Sequence, residues 1–227
     1  MRHLAVRFGL STHLIAGGSV VVKDANGNEI FHQSRVYLSL TRGDAWLGRE
    51  LLDGDVSRVA FSPVDTLRCY AVTSTGNVYK SSGGFTWRLA HTAANKPGSG
   101  YISGLALSWT NPDVLWISFG GFGGWRIMRS DDGGAHWTDR SGTAGDDLPM
   151  IPTTSIVVSP VSDDVAYVST DIGVFRTQDG GASWQDFNDG FQWQDVPRII
   201  VTELALRRSS RTLFASTLGR GVYRRAL

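Results

Sequence analysis

The sequence predicts an all-β chain assembled from a repeated four-stranded unit, and three observations carry that reading. First, Ser130-Asp131-Asp132-Gly133-Gly134-Ala135-His136-Trp137 recurs as Thr177-Gln178-Asp179-Gly180-Gly181-Ala182-Ser183-Trp184, both of the form Ser/Thr-x-Asp-x-Gly-x-x-Trp. Second, two weaker copies stand upstream. Ser81-Ser82-Gly83-Gly84-Phe85-Thr86-Trp87 lacks the Asp, and Ser39-Leu40-Thr41-Arg42-Gly43-Asp44-Ala45-Trp46 has Thr41 in its place. Tryptophans 46, 87, 137 and 184 thus recur about every 46 residues, the period of a propeller blade. Third, the segments between them are short alternating apolar runs bounded by polar or proline turns, with no helical pattern.

Taken in order, the first unit has strands at 20–23 and 29–32, then Val36-Tyr37 before its corner. The second has 59–63, 67–74 and Val78-Tyr79; the third 105–108, 114–119 and Ile127-Met128. The fourth has 156–160, 165–170 and Val174-Phe175, and the fifth 204–206, 212–217 and 221–225. Blades are therefore expected near 18–50, 56–92, 101–141, 151–189 and 198–227 of one propeller domain over 1–227. The strand around 3–8 precedes the first of these. The favoured expectation is that it completes the last blade and closes a five-bladed ring, which would remove an exposed sheet edge. The alternative is that the chain is a fragment of a larger propeller.

Each corner has a physical rationale. A short polar residue, an Asp and a glycine pair make a tight hairpin, in which the carboxylate accepts backbone N–H groups across the turn and glycine supplies the positive φ. The tryptophan then covers the corner with a large ring whose N–H still finds a partner. Ser130, Asp132, Gly134, Trp137, Thr177, Asp179, Gly181 and Trp184 are thus read as structural.

Composition narrows the function classes. The 227 residues suit one all-β domain, and a hydrophobic content of 41% with eight tryptophans supports a core, so the 27 glycines mark turns rather than disorder. A net charge of +1 gives no case for nucleic acid. The basic concentration is Arg207, Arg208, Arg211, Arg220, Arg224 and Arg225, read first as a solvated blade edge and second as a protein-docking platform. A single cysteine, Cys69, excludes an internal disulfide and a cysteine zinc site. The five scattered histidines have no ligand spacing, so no metal or other cofactor is expected. Nothing in the N-terminal segment reads as a membrane span.

With the corners and the strand pattern in place, the chain resembles the Asp-box (BNR-repeat) β-propellers. That superfamily includes sialidases, xyloglucan-hydrolysing glycosidases, sortilin-type receptors and a photosystem II assembly factor. The resemblance covers roughly 18–227 and is strongest over 104–227, where 167–176 and 212–223 look like repeats of bacterial proteins loosely labelled glycosyl hydrolases. It implies a fold far more than an activity, and it favours an extracellular or periplasmic setting.

The resemblance also implies where a ligand sits: on the face opposite the corners, where the second-to-third-strand turns and the inter-blade connections gather. Those turns are Gln33-Ser34, 75–77, 120–125, 171–173 and 218–220, and the longer connections are 95–101, 142–152 and 189–197. Phe122, Trp125 and Trp193 are candidates to stack on a sugar ring, with Asn77, Asp171, Asp195 and Arg220 as polar partners. Trp109 and Trp116 read as core. In xyloglucan-hydrolysing relatives a catalytic carboxylate sits in a similar Thr-Asp-x-Gly-Gly setting. Here Thr170-Asp171-Ile172-Gly173 matches and Val174 departs from it. A glycosidase needs a second carboxyl group across the site, and Asp146, Asp147, Asp189 or Asp195 could supply one. Sialidase signatures are absent. The leading expectation is a non-enzymatic binding or assembly module for a carbohydrate or protein ligand, and the runner-up is a glycoside hydrolase or a fragment of one.

Overall fold

The computed structural model describes residues 3–6, 14–23, 25–27, 29–92, 100–189 and 199–227. The chain divides into two compact units, Met1–Asn95 and Lys96–Leu227. Every regular element in the described residues is a strand, and no helix among them is long and apolar enough to cross a membrane.

The first unit holds two four-stranded antiparallel sheets. One contains β1 (His3–Val6), β2 (Leu14–Lys23), β3 (Glu29–Ser39) and β4 (Leu47–Leu51); the other contains β5 (Val56–Phe61), β6 (Arg68–Thr73), β7 (Asn77–Ser82) and β8 (Trp87–Thr92). Strands follow one another in space as they do in sequence, each antiparallel to its neighbour. Val36, Leu38, Val59, Cys69, Ala71 and Trp87 belong to one buried cluster spanning the two sheets.

The second unit holds three sheets. The first is β9 (Ile102–Leu107), β10 (Leu115–Phe119), β11 (Ile127–Ser130) and β12 (Thr138–Asp139). The next is β13 (Thr153–Val158), β14 (Ala166–Thr170), β15 (Gly173–Thr177) and β16 (Gln185–Asp186); the third is β17 (Val201–Arg207), β18 (Thr212–Thr217) and β19 (Gly221–Ala226). β9 packs on β13, and β13 on β17, so the first strands of successive sheets adjoin. β10 and β14 are buried along their whole length, which is why they are continuous apolar or small-residue runs rather than alternating ones.

The N-terminal strand departs from the favoured expectation. His3, Leu4, Ala5 and Val6 pair with Gly17, Ala16, Ile15 and Leu14, so 3–6 opens the first sheet, and the last sheet has three strands among the described residues. The physical reason is the length of the hairpin that follows. β2 and β3 run in register from Leu14↔Ser39 to Lys23↔Glu29, so 20–23 and 29–32 are the far halves of the second and third strands. Gln33 and Ser34 consequently lie within β3 rather than in a turn.

Two regularities repeat through the sheets. The second residue of the first strand is a bulged hydroxyl residue in four of them, at Ser57, Ser103, Thr154 and Thr202, where the pairing register slips. Each reaches the second strand: Ser57 Oγ donates to Val72 O (3.2 Å), Thr202 Oγ1 to Ser216 O (3.2 Å), while Ser103 meets Ser118 (3.0 Å) and Thr154 meets Ser169 (2.7 Å). The other regularity is an aromatic residue of the second strand directly opposite a cation of the third: Tyr70↔Lys80, Trp116↔Arg129, Tyr167↔Arg176 and Phe214↔Arg224. The Lys80 ammonium lies 5.8 Å from the Tyr70 ring centre and the Arg129 guanidinium 5.2 Å from that of Trp116, within cation–π range.

Candidate functional site

The corners define one end of each sheet. At 130–137, Gly134 N donates to Ser130 Oγ (2.9 Å), while Ala135 N (3.0 Å) and His136 N (2.9 Å) donate to Asp132 Oδ1. At 177–184 the pattern recurs: Gly181 N to Thr177 Oγ1 (2.9 Å), Ser183 N to Asp179 Oδ1 (3.0 Å) and Ser183 Oγ to Asp179 Oδ2 (2.6 Å). In the first sheet Thr41 Oγ1 accepts Ala45 N at 2.8 Å, so a hydroxyl does the work of the carboxylate. These bonds stabilise charge. The backbone N–H and imidazole of His136 hold Asp132 well below the usual carboxylate range. Burial alone would raise Asp179, yet the bonds from Ser183, Thr177 and Ala182 bring it down to about 2.

The indoles are anchored too. Trp87 and Trp137 donate to Gly84 O (3.2 Å) and Gly134 O (3.0 Å), and Trp184 reaches back to Arg140 O of the preceding sheet (2.8 Å). Asp132 and Asp179 therefore spend their oxygens within the corner, and this end is organised for stability.

The opposite end differs. In the second unit the 120–126 loop lies against Tyr101: Gly120 N donates to Tyr101 O at 2.9 Å, and a Cβ on Gly120 would lie 2.7 Å from the Tyr101 ring. Tyr101 is 53% exposed and Phe122 73%, while Trp125, three residues after Phe122, is half-buried. A third segment joins this surface. Arg126, buried, pairs with Asp147 at 3.1 Å, and Leu148 N donates to Ser141 O; Leu148 is buried and Met150 is exposed. The 120–126 loop thus abuts Tyr101 through Gly120, and Arg126 at its end ties it to Asp147. Sequence reasoning had Phe122 and Trp125 but not Tyr101, whose position just before β9 reads as the end of a connection.

Asp171 occupies the β14–β15 turn and is exposed. The turn is held by others: Ile172 N donates to Thr170 Oγ1 (3.2 Å), Thr170 Oγ1 to Gly173 O (3.0 Å), and Asn188 Oδ1 accepts Val174 N (2.8 Å). Its carboxylate makes none of these bonds. Arg220 is exposed in the equivalent β18–β19 turn. No hydrogen bond or ion pair among the described residues joins Asp171, Arg220 and Phe122. Asp147 is engaged by Arg126, and Asp189 faces Arg225. Trp193 and Asp195 lie outside the described residues.

Asn77 belongs to the first unit and opens β7, directly after the β6–β7 turn. Its Nδ2 donates to Asp53 Oδ2 (3.2 Å) and Thr75 Oγ1 (3.3 Å), and its N to Thr73 Oγ1 (3.3 Å). The side chain is buried, and these bonds knit the turn to the segment entering β5.

No protein-family model matches this sequence, and neither does any curated protein. Solved structures do resemble it. The GH74 xyloglucanase from Xanthomonas campestris aligns with 99% of the chain and 36% of its own length, at TM-score 0.66 and 19% identity. An ancestral GH74 enzyme aligns with 82% of the chain and 25% of its own, at TM-score 0.62 and 19% identity. A chain of the mitotic checkpoint complex aligns with 96% and 72%, at TM-score 0.60 and 15% identity. The sheets are β-propeller blades. At such identities the likeness is one of fold, and the chain spans about a quarter to a third of the length of these two GH74 enzymes.

Proposed function

We propose that this chain is an Asp-box β-propeller acting as a non-enzymatic binding module, with a carbohydrate held on the loop surface of Tyr101, Phe122 and Trp125. The observation that carries the reading is the pair of exposed rings on abutting loops, Tyr101 at 53% and Phe122 at 73%. Large apolar rings displayed beside polar groups mark interaction surfaces. A ring face packs on the apolar face of a sugar, and the part-exposed Asp147 carboxylate, held by Arg126, supplies an acceptor for its hydroxyls. The hydroxyl-and-carboxylate corners support the Asp-box assignment, because the same bonds recur at 130–137 and 177–184.

The test is a glycan array followed by titration of the best binder with wild type, Tyr101→Ala and Phe122→Ala. Loss of binding in both variants, with unchanged thermal unfolding, supports the reading. Equal binding by all three removes it.

A second reading, a glycoside hydrolase using Asp171 as one of its two acids, is favoured by one observation: the Asp171 carboxylate is exposed and takes no part in holding its own turn. Hydrolysis of xyloglucan by wild type, abolished in Asp171→Asn, would establish it. Absence of hydrolysis alongside retained glycan binding returns the first reading.

A further inference from the structure

The corner end of the second unit sets up one ionic arrangement and then breaks it. Between the sheets that open with β9 and β13, Arg129 lies on the Trp116 ring and is held by two carboxylates. These are Asp131, two residues on, and Asp164 of the turn entering β14, each at 2.7 Å. Register matches the next boundary to this one, position by position. Arg176 stands opposite Tyr167 as Arg129 stands opposite Trp116. Gln178 follows Arg176 by the same two positions as Asp131 follows Arg129. Asp164 comes two residues before Ala166, the partner of Thr177, and Arg211 comes two residues before Leu213, the partner of Arg225. At this boundary one carboxylate position holds an amide and the other a guanidinium.

A third cation joins them. Arg225 stacks on Phe187 at 3.9 Å and Arg176 reaches the same ring at 5.1 Å, so one phenyl ring carries both guanidiniums. Phe187 in turn packs on Tyr167, with ring centres 5.2 Å apart. Asp189 offsets part of this charge: its carboxylate lies 4.0 Å from Arg225 and its carbonyl accepts an Arg225 N–H at 3.4 Å. Three guanidiniums against one carboxylate leave two positive charges.

Other observations point to an anion. The Nε of Arg176 is buried without an acceptor, and a charged donor left so is costly. Arg211, exposed, is held at φ +47°, in the left-handed region that disfavours a side chain. An arginine is thus kept where glycine or asparagine would sit more easily. The Tyr167 hydroxyl feels the same cations: burial raises its pKa, while Arg176, Arg211 and Arg225 act against that rise.

We propose that Arg176, Arg211 and Arg225 bind a tetrahedral oxyanion of about two negative charges, a phosphate or phosphate monoester, with the Tyr167 hydroxyl as a further donor. Guanidinium forks match phosphate oxygens, and a doubly charged anion neutralises the surplus. The site lies at the corner end, apart from the loop surface of Tyr101 and Phe122, and stands or falls independently of it.

Inorganic phosphate is titrated calorimetrically into the full chain at constant ionic strength, with chloride as the control, and Tm is read with and without it. Phosphate should bind and raise Tm where chloride does not. Arg211→Asp, which restores the arrangement around Arg129, should weaken phosphate binding about tenfold or more, the loss expected of charge-assisted hydrogen bonds. Its Tm without phosphate should be unchanged or higher, which separates a lost ligand from a damaged fold. Tyr167→Phe, which removes only the hydroxyl, should give a smaller loss of affinity. Arg88→Asp, an equal change of charge on an exposed residue of the first unit, should leave binding intact. Glycerol 3-phosphate binding as tightly as inorganic phosphate assigns the site to a monoester, and weaker binding assigns it to the free ion. Equal phosphate affinity in wild type and Arg211→Asp overturns the inference. So does an equal response to chloride, or an equal loss in Arg88→Asp.

Discussion

Two glycines of the second unit share a backbone conformation and differ in what surrounds them, which makes a controlled experiment. Gly181 has φ +85° and Gly219 φ +78°. A Cβ on Gly219 meets nothing within 4 Å, whereas one on Gly181 lies 2.6 Å from Arg140 Cβ, 2.7 Å from Arg140 O and 3.2 Å from the Trp116 ring. Gly219→Ala therefore carries only the cost of an alanine in the left-handed region, about 1–2 kcal/mol. Gly181→Ala carries that cost and an overpacking penalty of about 1–3 kcal/mol, because the obstacles are a backbone carbonyl and a buried indole rather than a flexible side-chain tip. For a domain of this size each kcal/mol lowers Tm by about 2–4 °C. Urea unfolding followed by tryptophan fluorescence, with thermal melts alongside, measures both variants. Equal destabilisation of the two would refute the claim that the corner's second glycine exists for close packing against the preceding sheet.

Other outcomes follow from the same geometry. Asp179, drawn from the ordinary 3.8 to about 2, and Asp132, drawn lower still, have folded values below their unfolded ones. Their contribution is complete above about pH 5 and is lost as pH falls through the folded values, so Asp179→Asn should flatten the acid limb of a stability–pH profile. Trp184→Phe should cost more than Trp137→Phe, because Trp184 is the more buried and ties its sheet to Arg140 O, a difference that urea midpoints will report. Cys69, wholly buried with its Sγ donating to Ser81 O, should resist thiol reagents in the native protein and react once on denaturation. Tyr101→Ala should reduce glycan binding as strongly as Phe122→Ala, with little change in Tm.

The second to fourth sheets were legible because their turns carry chemical marks. A glycine pair followed by tryptophan places a corner, and Val-Tyr, Ile-Met or Val-Phe before it places the third strand. The first sheet was displaced by a strand because residues 14–39 form one long hairpin whose midpoint resembles a strand boundary. The bulged hydroxyls at Ser57, Ser103, Thr154 and Thr202 recur at blade spacing, yet a lone serine or threonine in a strand has no distinctive signal until its register is known. The aromatic–cation pairs were hidden for the same reason: Tyr70 and Lys80 are ten positions apart in sequence and opposite only after pairing. Tyr101 escaped notice because the glycine-rich loop becomes its neighbour only once β9 and β10 are paired.

The bulges carry one more implication. Alternation would place residues three apart on opposite faces of a strand, but Val56 and Val59, Thr153 and Ile156, and Val201 and Leu204 are all buried. The extra hydroxyl residue is what reconciles that spacing with the pleat. Deleting Ser57 or Thr202 would shorten the strand by a residue and turn everything before the cut inside out. The entry to each blade thus tolerates exchange of Ser for Thr far better than loss of a single codon.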